Sequence, residues 1–437
     1  MKEEQNKNEE LQKADELAAS GDKAFLSYTW KLNKSQDDSC KSSETNPYSD
    51  DTWANDISYP EHDLEFAFDY YQQALARYEK ILGSDHIKVG EMLFNCGKVA
   101  MDPMYDDVIA HGYFKRALPI YLEKKPYSRD LAILYEDFGL VCYAMNDLLS
   151  SLDYYHKSLS LFNMMVLCGD EIDLTDLKEE ISEADKQLGL QIVFEGNKCG
   201  FADKEGKIVI PCVWNEVQEF SEGFSLVKDD KNLYGFINYH GDLVIPCVYK
   251  EAYSFKNGMA YVEENGDDDF PFTYYIECNG GFVASDYELN TIQIEAIYKS
   301  SVLARFRKHA EAAECILPAV RSMDTKPMRL LLVYYTLAEQ YDKLIERCNK
   351  IIKYDERSDL VVFARLLLGT AYEEGKGIEQ DLIQAFRQFN AVRLETNISD
   401  DDYQQLDEFL KRHPEMLELP EVKNALESTS DNDIDWT

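Results

Sequence analysis

Cations, long apolar runs and paired cysteines are what this sequence lacks. There are 45 Lys and Arg against 82 Asp and Glu, a net charge of −37. A chain so poor in cations cannot displace the counterions of a phosphate backbone, and anionic membrane surfaces repel it. The expectation is therefore no nucleic acid and no membrane. The surplus acid keeps the chain soluble and would draw basic partners. The longest apolar runs lie at residues 330–337 and 161–168, far below the roughly 20 residues that span a bilayer. The first residues, Met1-Lys2-Glu3-Glu4-Gln5-Asn6, have no apolar stretch of signal-peptide length, so a cytoplasmic protein is expected. The ten cysteines are scattered and none forms C-x-x-C, a pattern of reduced thiols, not of a disulfide framework or zinc site.

Catalytic signatures are missing as well. No Gly-x-Ser-x-Gly, His-Glu-x-x-His or dinucleotide fingerprint occurs, and Gly375-Lys376-Gly377 lacks both the upstream glycine and the Lys-Ser/Thr ending of a phosphate loop. The seven histidines (62, 86, 111, 156, 240, 309, 413) include no pair three or four apart, so no metal or other cofactor is expected. Asp267-Asp268-Asp269 lacks the alternating ligands and glycine of a calcium loop and reads as a solvated hairpin loop. Cys212 and Cys247, at matching places in an acidic region, read as small buried residues and not as reactive thiols.

What is present is repetition. Residues 1–60 form an acidic N-terminal segment: Leu11–Leu32 suits one amphipathic helix, or two broken at Ser20-Gly21-Asp22, and residues 35–58 are a polar linker. From 61 to 189 the apolar period is helical. Tyr70-Tyr71-x-x-Ala74-Leu75-x-x-Tyr78 returns as Tyr113-Phe114-x-x-Ala117-Leu118-x-x-Tyr121 and as Tyr154-Tyr155-x-x-Ser158-Leu159-x-x-Phe162. Between these, Leu93–Gly97–Ala100 matches Tyr135–Gly139–Tyr143. Two antiparallel helices touch closely only where a small residue sits, so Gly97 and Gly139 read as notches that aromatic rings fill. The alternation resembles the tetratricopeptide repeat, in the long variant of kinesin light chains because the period exceeds ~34 residues. Gly83-Ser84-Asp85-His86 would be the inter-repeat turn.

Near Gln191 the period changes from 3.6 to 2. Gly200–Val227 aligns without a gap to Gly235–Val262, with twelve of 28 positions identical. Each copy reads as three short strands: Gly-Phe opens the first, Gly206 or Gly241 turns it, Ile-Val-Ile or Leu-Val-Ile is the second, and Pro211 or Pro246 ends that strand for want of an N–H. Glu222-Gly223 and Asn257-Gly258 turn into the third. A degenerate third copy would start at Thr273. One such unit cannot bury its apolar face alone, so neighbouring copies must stack. The segment resembles the bacterial WG repeat, with Cys199-Gly200 and Tyr234-Gly235 where that family has its aromatic-Gly pair.

Beyond residue 286 helices are expected at 288–307, 308–322, 327–338, 341–353, 358–374, 380–392, 401–412 and 417–427. Ala364-x-x-x-Leu368-Gly369-x-x-Tyr372-x-x-Gly375-x-Gly377 with Asp381 and Ala385-Phe386 resembles a Sel-one-like repeat. Gly375 and Gly377 would close one helix and Asp381 would cap the next. Residues 428–437 form an acidic tail. The fold class is thus a multidomain α + β chain: a tetratricopeptide-like helical solenoid at 61–189, an antiparallel WG-like β-repeat module at 190–285, and a second helical repeat domain at 286–427.

The functional expectation is a non-enzymatic cytoplasmic scaffold that binds a protein or peptide of basic or amphipathic character. The resemblance implies a concave groove lined by Glu91, Phe94, Lys98 and Met101 from one repeat and Ile133, Glu136, Leu140 and Tyr143 from the next. The alternative is glycan or small-ligand recognition by the aromatic-rich β-repeats, with Trp214 and Tyr249 as a platform. Stacked aromatics on an exposed β face would favour it, and buried ones would not.

Overall fold

Helices that must pack in pairs need a close approach between backbones, and glycine supplies it. In the computed structural model this contact recurs. A Cβ on Gly139 would lie 2.6 Å from the Tyr155 ring, one on Gly21 would lie 2.5 Å from Tyr71, and Gly97 faces Phe114 in the same way. The structure describes residues 2–36, 60–101, 106–264, 273–285, 289–320, 325–355, 357–394 and 400–430, and they fall into two compact units that divide near the hairpin at 273–285.

The first unit opens with seven helices: α1 (Lys2–Gln36), α2 (Pro60–Leu82), α3 (Ile87–Ala100), α4 (Asp107–Lys124), α5 (Arg129–Ala144), α6 (Leu148–Leu167) and α7 (Thr175–Leu188). Each packs on the next. Of the two readings of this segment the single helix holds, with no break at Ser20-Gly21-Asp22. Gly21 lies inside α1 because the Tyr71 ring occupies the space a side chain would need; the glycine serves packing, not a turn. The bonds Arg77–Glu10, Tyr78–Asp15, Tyr71–Asp22 and Lys31–Asp63 run in opposite senses along α1 and α2 and make that pair antiparallel. Gly83, at φ +90°, turns the chain into α3, whose first turn is capped by the His86 ring nitrogen accepting from the Lys88 N–H. The linker expected at 35–58 lies almost wholly outside the described residues.

The β-repeats form two antiparallel sheets. Strands β1 (Gln191–Glu195), β2 (Lys198–Ala202) and β3 (Ile208–Trp214) make one, in that order. In the first unit β4 (Glu216–Val217), β5 (Ser225–Lys228), β6 (Tyr234–Ile237), β7 (Leu243–Ala252) and β8 (Met259–Glu264) make the other. The first copy is thus divided: its hairpin β2–β3 lies in one sheet, while its last strand, β5, pairs with β6 of the second copy. Phe201, Ile210, Val227 and Ile237 form one core drawn from both copies, which is why a single copy would not suffice.

Proline does not end the second strand, contrary to the reading above. β3 runs through Pro211 and β7 through Pro246. The register explains it. Phe201 faces Ile210 but Cys199 faces Trp214, so β3 bulges by two residues around the proline, and the Phe236–Ile245 and Tyr234–Tyr249 pairs repeat the shift. At a bulge no ladder N–H is required, and proline is tolerated. The turns are equally regular: Asp203, Asp229 and Asn238 each accept two backbone N–H groups from residues two and four further on. Glu222 and Gly223 both have positive φ, as do Asn257 and Gly258, the form a two-residue hairpin turn needs. The Glu222 carboxylate accepts the N–H groups of Asn257 and Gly258, tying one copy's turn to the next.

The module is seated on α6 and α7. The Tyr239 ring stacks on Phe220 at 4.1 Å, and its hydroxyl lies 3.2 Å from His156 Nε2 and bonds Asp185.

The second unit holds α8 (Thr291–Arg305), α9 (His309–Cys315), α10 (Lys326–Leu337), α11 (Tyr341–Tyr354), α12 (Ser358–Glu374), α13 (Leu382–Arg393), α14 (Asp400–Arg412), a 3₁₀ turn (Pro414–Glu418) and α15 (Pro420–Ser430). These follow the expected helices closely. Gly369 sits against the Phe389 ring, and Gly375 and Gly377 take positive φ at the end of α12. Asp381 caps α13 by accepting from the Ile383 and Gln384 N–H groups. Asp381→Ala is expected to cost about 1 kcal/mol, measured as a lowered denaturation midpoint. Residues 428–430, read as part of the tail, belong to α15.

Candidate functional site

Side-chain contacts place the odd-numbered helices of the first unit beside one another. Lys88 on α3 pairs with Asp15 on α1, and the Lys98 ammonium lies 5.7 Å from the Phe25 ring of α1 and 5.6 Å from Phe94 on its own helix. Lys98 also attracts Asp137 on α5. Across the next gap, burial and the nearby Glu183 carboxylate of α7 raise the Tyr143 hydroxyl of α5. These contacts set α1, α3, α5 and α7 side by side, the helices expected to line a groove.

The residues expected to line it divide. Leu140 is exposed, 41% open, and Ile133, Glu136, Tyr143 and Lys98 are half-buried along the groove helices. Glu91 is held by Lys125 Nζ at 2.7 Å. Met101 stands at the C-terminal cap of α3, its N–H given to Gly97. Phe94 is withdrawn from the surface: only 7% exposed, it packs between Phe114 and Tyr121 of α4. The notch at Gly97 draws α4 so close that the neighbouring turn of α3 is covered.

Residues not singled out from the sequence dominate the electrostatics. Asp137 follows Glu136, and Glu180 stands opposite on α7. Burial, with Glu136 and Glu180 adding to it, pushes the Asp137 carboxyl up to about 7 against the pull of Lys98. Burial also raises Glu136, with Asp176 next in effect, and raises Glu180, with Glu136 next, although the Tyr155 hydroxyl bonded to Glu180 opposes the shift. The Oδ2 of Asp137 and the Oε2 of Glu180 are fully buried and accept no hydrogen bond. The signal in the sequence was an acidic pair two residues before a notch glycine, facing Glu179-Glu180 and Glu183.

On the β-repeats the Trp214 and Tyr249 platform and most other rings turn inward, while Tyr253, 57% exposed, pairs with Tyr261, and Phe194 is exposed. Tyr249 is buried, Trp214 half-buried and part of the core, and Phe236, Phe255 and Phe201 are buried against one another or against Phe220 and Phe224. Cys212 and Cys247 are half-buried, not buried as read above, since both flank the bulge. Burial still raises both thiols, Cys247 to about 11, away from the thiolate that reacts. Among the described residues no three His, Cys, Asp or Glu side chains converge to hold a metal ion, and no helix is long and apolar enough to cross a membrane.

No curated protein matches the chain. A family model described as the WG containing repeat matches residues 200–232 and 234–266, the two copies whose shared bulge, turn and core have just been described.

Proposed function

We propose that this chain is a non-enzymatic scaffold or adaptor that binds a partner protein in the groove of α1, α3, α5 and α7. The observation that carries the reading is the notch contact repeated at Gly21–Tyr71, Gly97–Phe114 and Gly139–Tyr155. It is what stacked tetratricopeptide-like pairs of the kinesin-light-chain kind require, and it leaves the first helix of each pair with an unpacked side. The Gly369–Phe389 contact with the Asp381 cap supports a Sel-one-like pair in the second unit by the same logic. Nine described cysteines without disulfides and the WG-type copies suit a cytoplasmic, bacterial protein. The alternative, ligand recognition by the β-repeat aromatics, is disfavoured by the burial of most of those rings.

Leu140→Asp with Tyr143→Ala tests the groove without touching the buried Phe94. Leu140 is exposed and Tyr143 half-buried, and the two substitutions are expected to leave helicity intact. In a cross-linking pull-down from the native host, the unaltered chain should capture a discrete protein that the double variant loses. Capture of the same protein by both would move binding to the β-repeats or to the second unit. Capture by neither would remove the adaptor reading and leave a small-molecule screen on the β-repeats as the next step.

A further inference from the structure

We infer that β1 is an open edge at which two copies of this chain join, the Gln191–Glu195 strand of one pairing antiparallel with the same strand of the other. The inference goes beyond the groove reading and does not depend on it. The third strand of the first β-repeat, β5, has a neighbour on both sides. It lies between β6 and β4, and the N–H groups of Asn215 and Gln218 bond the Lys228 and Leu226 carbonyls. The Tyr253 N–H does the same for Tyr261, the second copy's equivalent of Leu226. β1 stands to β2 as β5 stands to β6: Val193 faces Gly200 as Val227 faces Gly235. Phe194 and Ile192 therefore take the places of Lys228 and Leu226, with their N–H and C=O groups turned away from β2. No strand pairs with β1 on that side among the described residues. β1 is thus a third strand without the second strand that covers its equivalents.

An unpaired edge is a template for another strand. Phe194 is 72% exposed on it, and Gln191 and Glu195 are exposed beside it. The sequence of the strand selects a second copy as the occupant. Antiparallel pairing about Val193 sets Ile192 of one copy opposite Phe194 of the other, and Gln191 opposite Glu195. Glu195 is the strand's one charge, so no like charges meet. Because Ile192 and Phe194 both turn their backbone groups outward, the two Ile192–Phe194 pairs close four backbone hydrogen bonds. Each pair also lays the exposed ring over Ile192, which is half-buried and packs against the core of Phe201 and Ile210. The pairing is two-fold, so it uses up both edges and stops at a dimer instead of growing into a fibre. Repulsion between two chains of charge −37 opposes it at long range, and salt screens that repulsion. A contact of this size makes a reversible dimer, not an obligate one.

Sedimentation velocity of the purified full chain is the first test. A monomer–dimer equilibrium is expected between roughly 1 and 100 μM, shifting towards dimer as salt is raised. Phe194→Lys should weaken the dimer about tenfold or more with an unchanged circular dichroism spectrum. Tyr253→Lys, at another exposed ring of the module, should not weaken it. Introduced cysteines read the register. Ile192→Cys and Phe194→Cys chains, mixed, bring two new thiols opposite one another at a Cα separation of about 5.5 Å, which a disulfide spans. Under oxidised glutathione the mixture should give a covalent dimer that neither variant alone nor the native chain gives. A dimer that survives Phe194→Lys, or a mixture that does not cross-link, would put the contact on another face and overturn the inference. A chain that stays monomeric at every concentration and salt would overturn it too. If that monomer binds a dye-labelled peptide of residues 248–255, the segment that covers β8 in the second copy, the edge would belong to an extended segment of a different protein. None of these outcomes bears on the groove, whose test is the capture of a partner.

Discussion

Gly235→Ala is expected to unseat the second β-repeat, with a loss of about 3 kcal/mol. The added Cβ would sit 2.6 Å from the Ile245 carbonyl oxygen and 2.8 Å from the Cys247 nitrogen. Both are backbone atoms of the bulge around Pro246, and the bulge cannot recede: Phe236 and Ile245 pair on one side of it, Tyr234 and Tyr249 on the other. Gly200→Ala meets the Pro211 carbonyl oxygen at 2.6 Å in the first copy and should cost about as much. Gly206→Ala is the control. Gly206 has φ +83° with nothing near its Cβ, so only backbone strain of about 1–2 kcal/mol is expected. Denaturant midpoints of the three variants, followed by far-ultraviolet circular dichroism, measure the order. Equal losses at Gly206 and Gly235 would show that conformational freedom, not the close approach to the bulge, is why glycine stands there.

That bulge also marks the limit of what could be read in advance. The two β copies were plain because side chains recur at a fixed offset of 35, and their turns because Asp, Asn and Gly act through bonds within a few residues. The helices of the second unit were legible for the same reason: Asp381 and Gly375 do their work locally. The failures share a cause too. Pro211 looks like a strand end by local rule, yet two extra residues in one strand excuse its missing N–H. Gly21 between Ser20 and Asp22 left one helix or two open, because the ring that decides it stands 50 residues away. Phe94 was placed in the groove by counting from Gly97, but the closeness that Gly97 permits is what buries it. Asp137 drew no notice, because its lack of a hydrogen-bond partner is a property of three helices at once.

The stability of the first unit should depend on pH through two buried groups with opposite signs, and Asp137→Asn should expose both. His156 is held neutral by burial, its pKa lowered to about 4, with Asp153 opposing and Tyr239 as its bonded neighbour. The unfolded histidine titrates near 6.5, so its contribution is complete above that value. It is lost as pH falls towards 4, by about 3 kcal/mol. Asp137 behaves in reverse. Its folded pKa of about 7 lies above the ordinary 3.8 because burial, helped by Glu136 and Glu180, outweighs the pull of Lys98. The folded state therefore binds a proton that the unfolded state has released, and Asp137 weakens the unit as pH rises from 4 to 7, by up to about 4 kcal/mol. In the native chain the two slopes largely cancel between pH 4 and 6.5. Asparagine removes one of them. The variant should be more stable than the native chain at pH 8, by a few kcal/mol, and should lose that advantage by pH 4. Between those limits its own stability should fall steeply where the native chain is nearly level, and His156→Gln on the Asp137→Asn background should flatten the curve again. Urea midpoints at half-unit steps of pH measure all three curves. A difference between native and Asp137→Asn chains that stays constant from pH 4 to 8 would mean that Asp137 is ionised throughout, with an ordinary carboxylate pKa, and that Lys98 or solvent satisfies it after all.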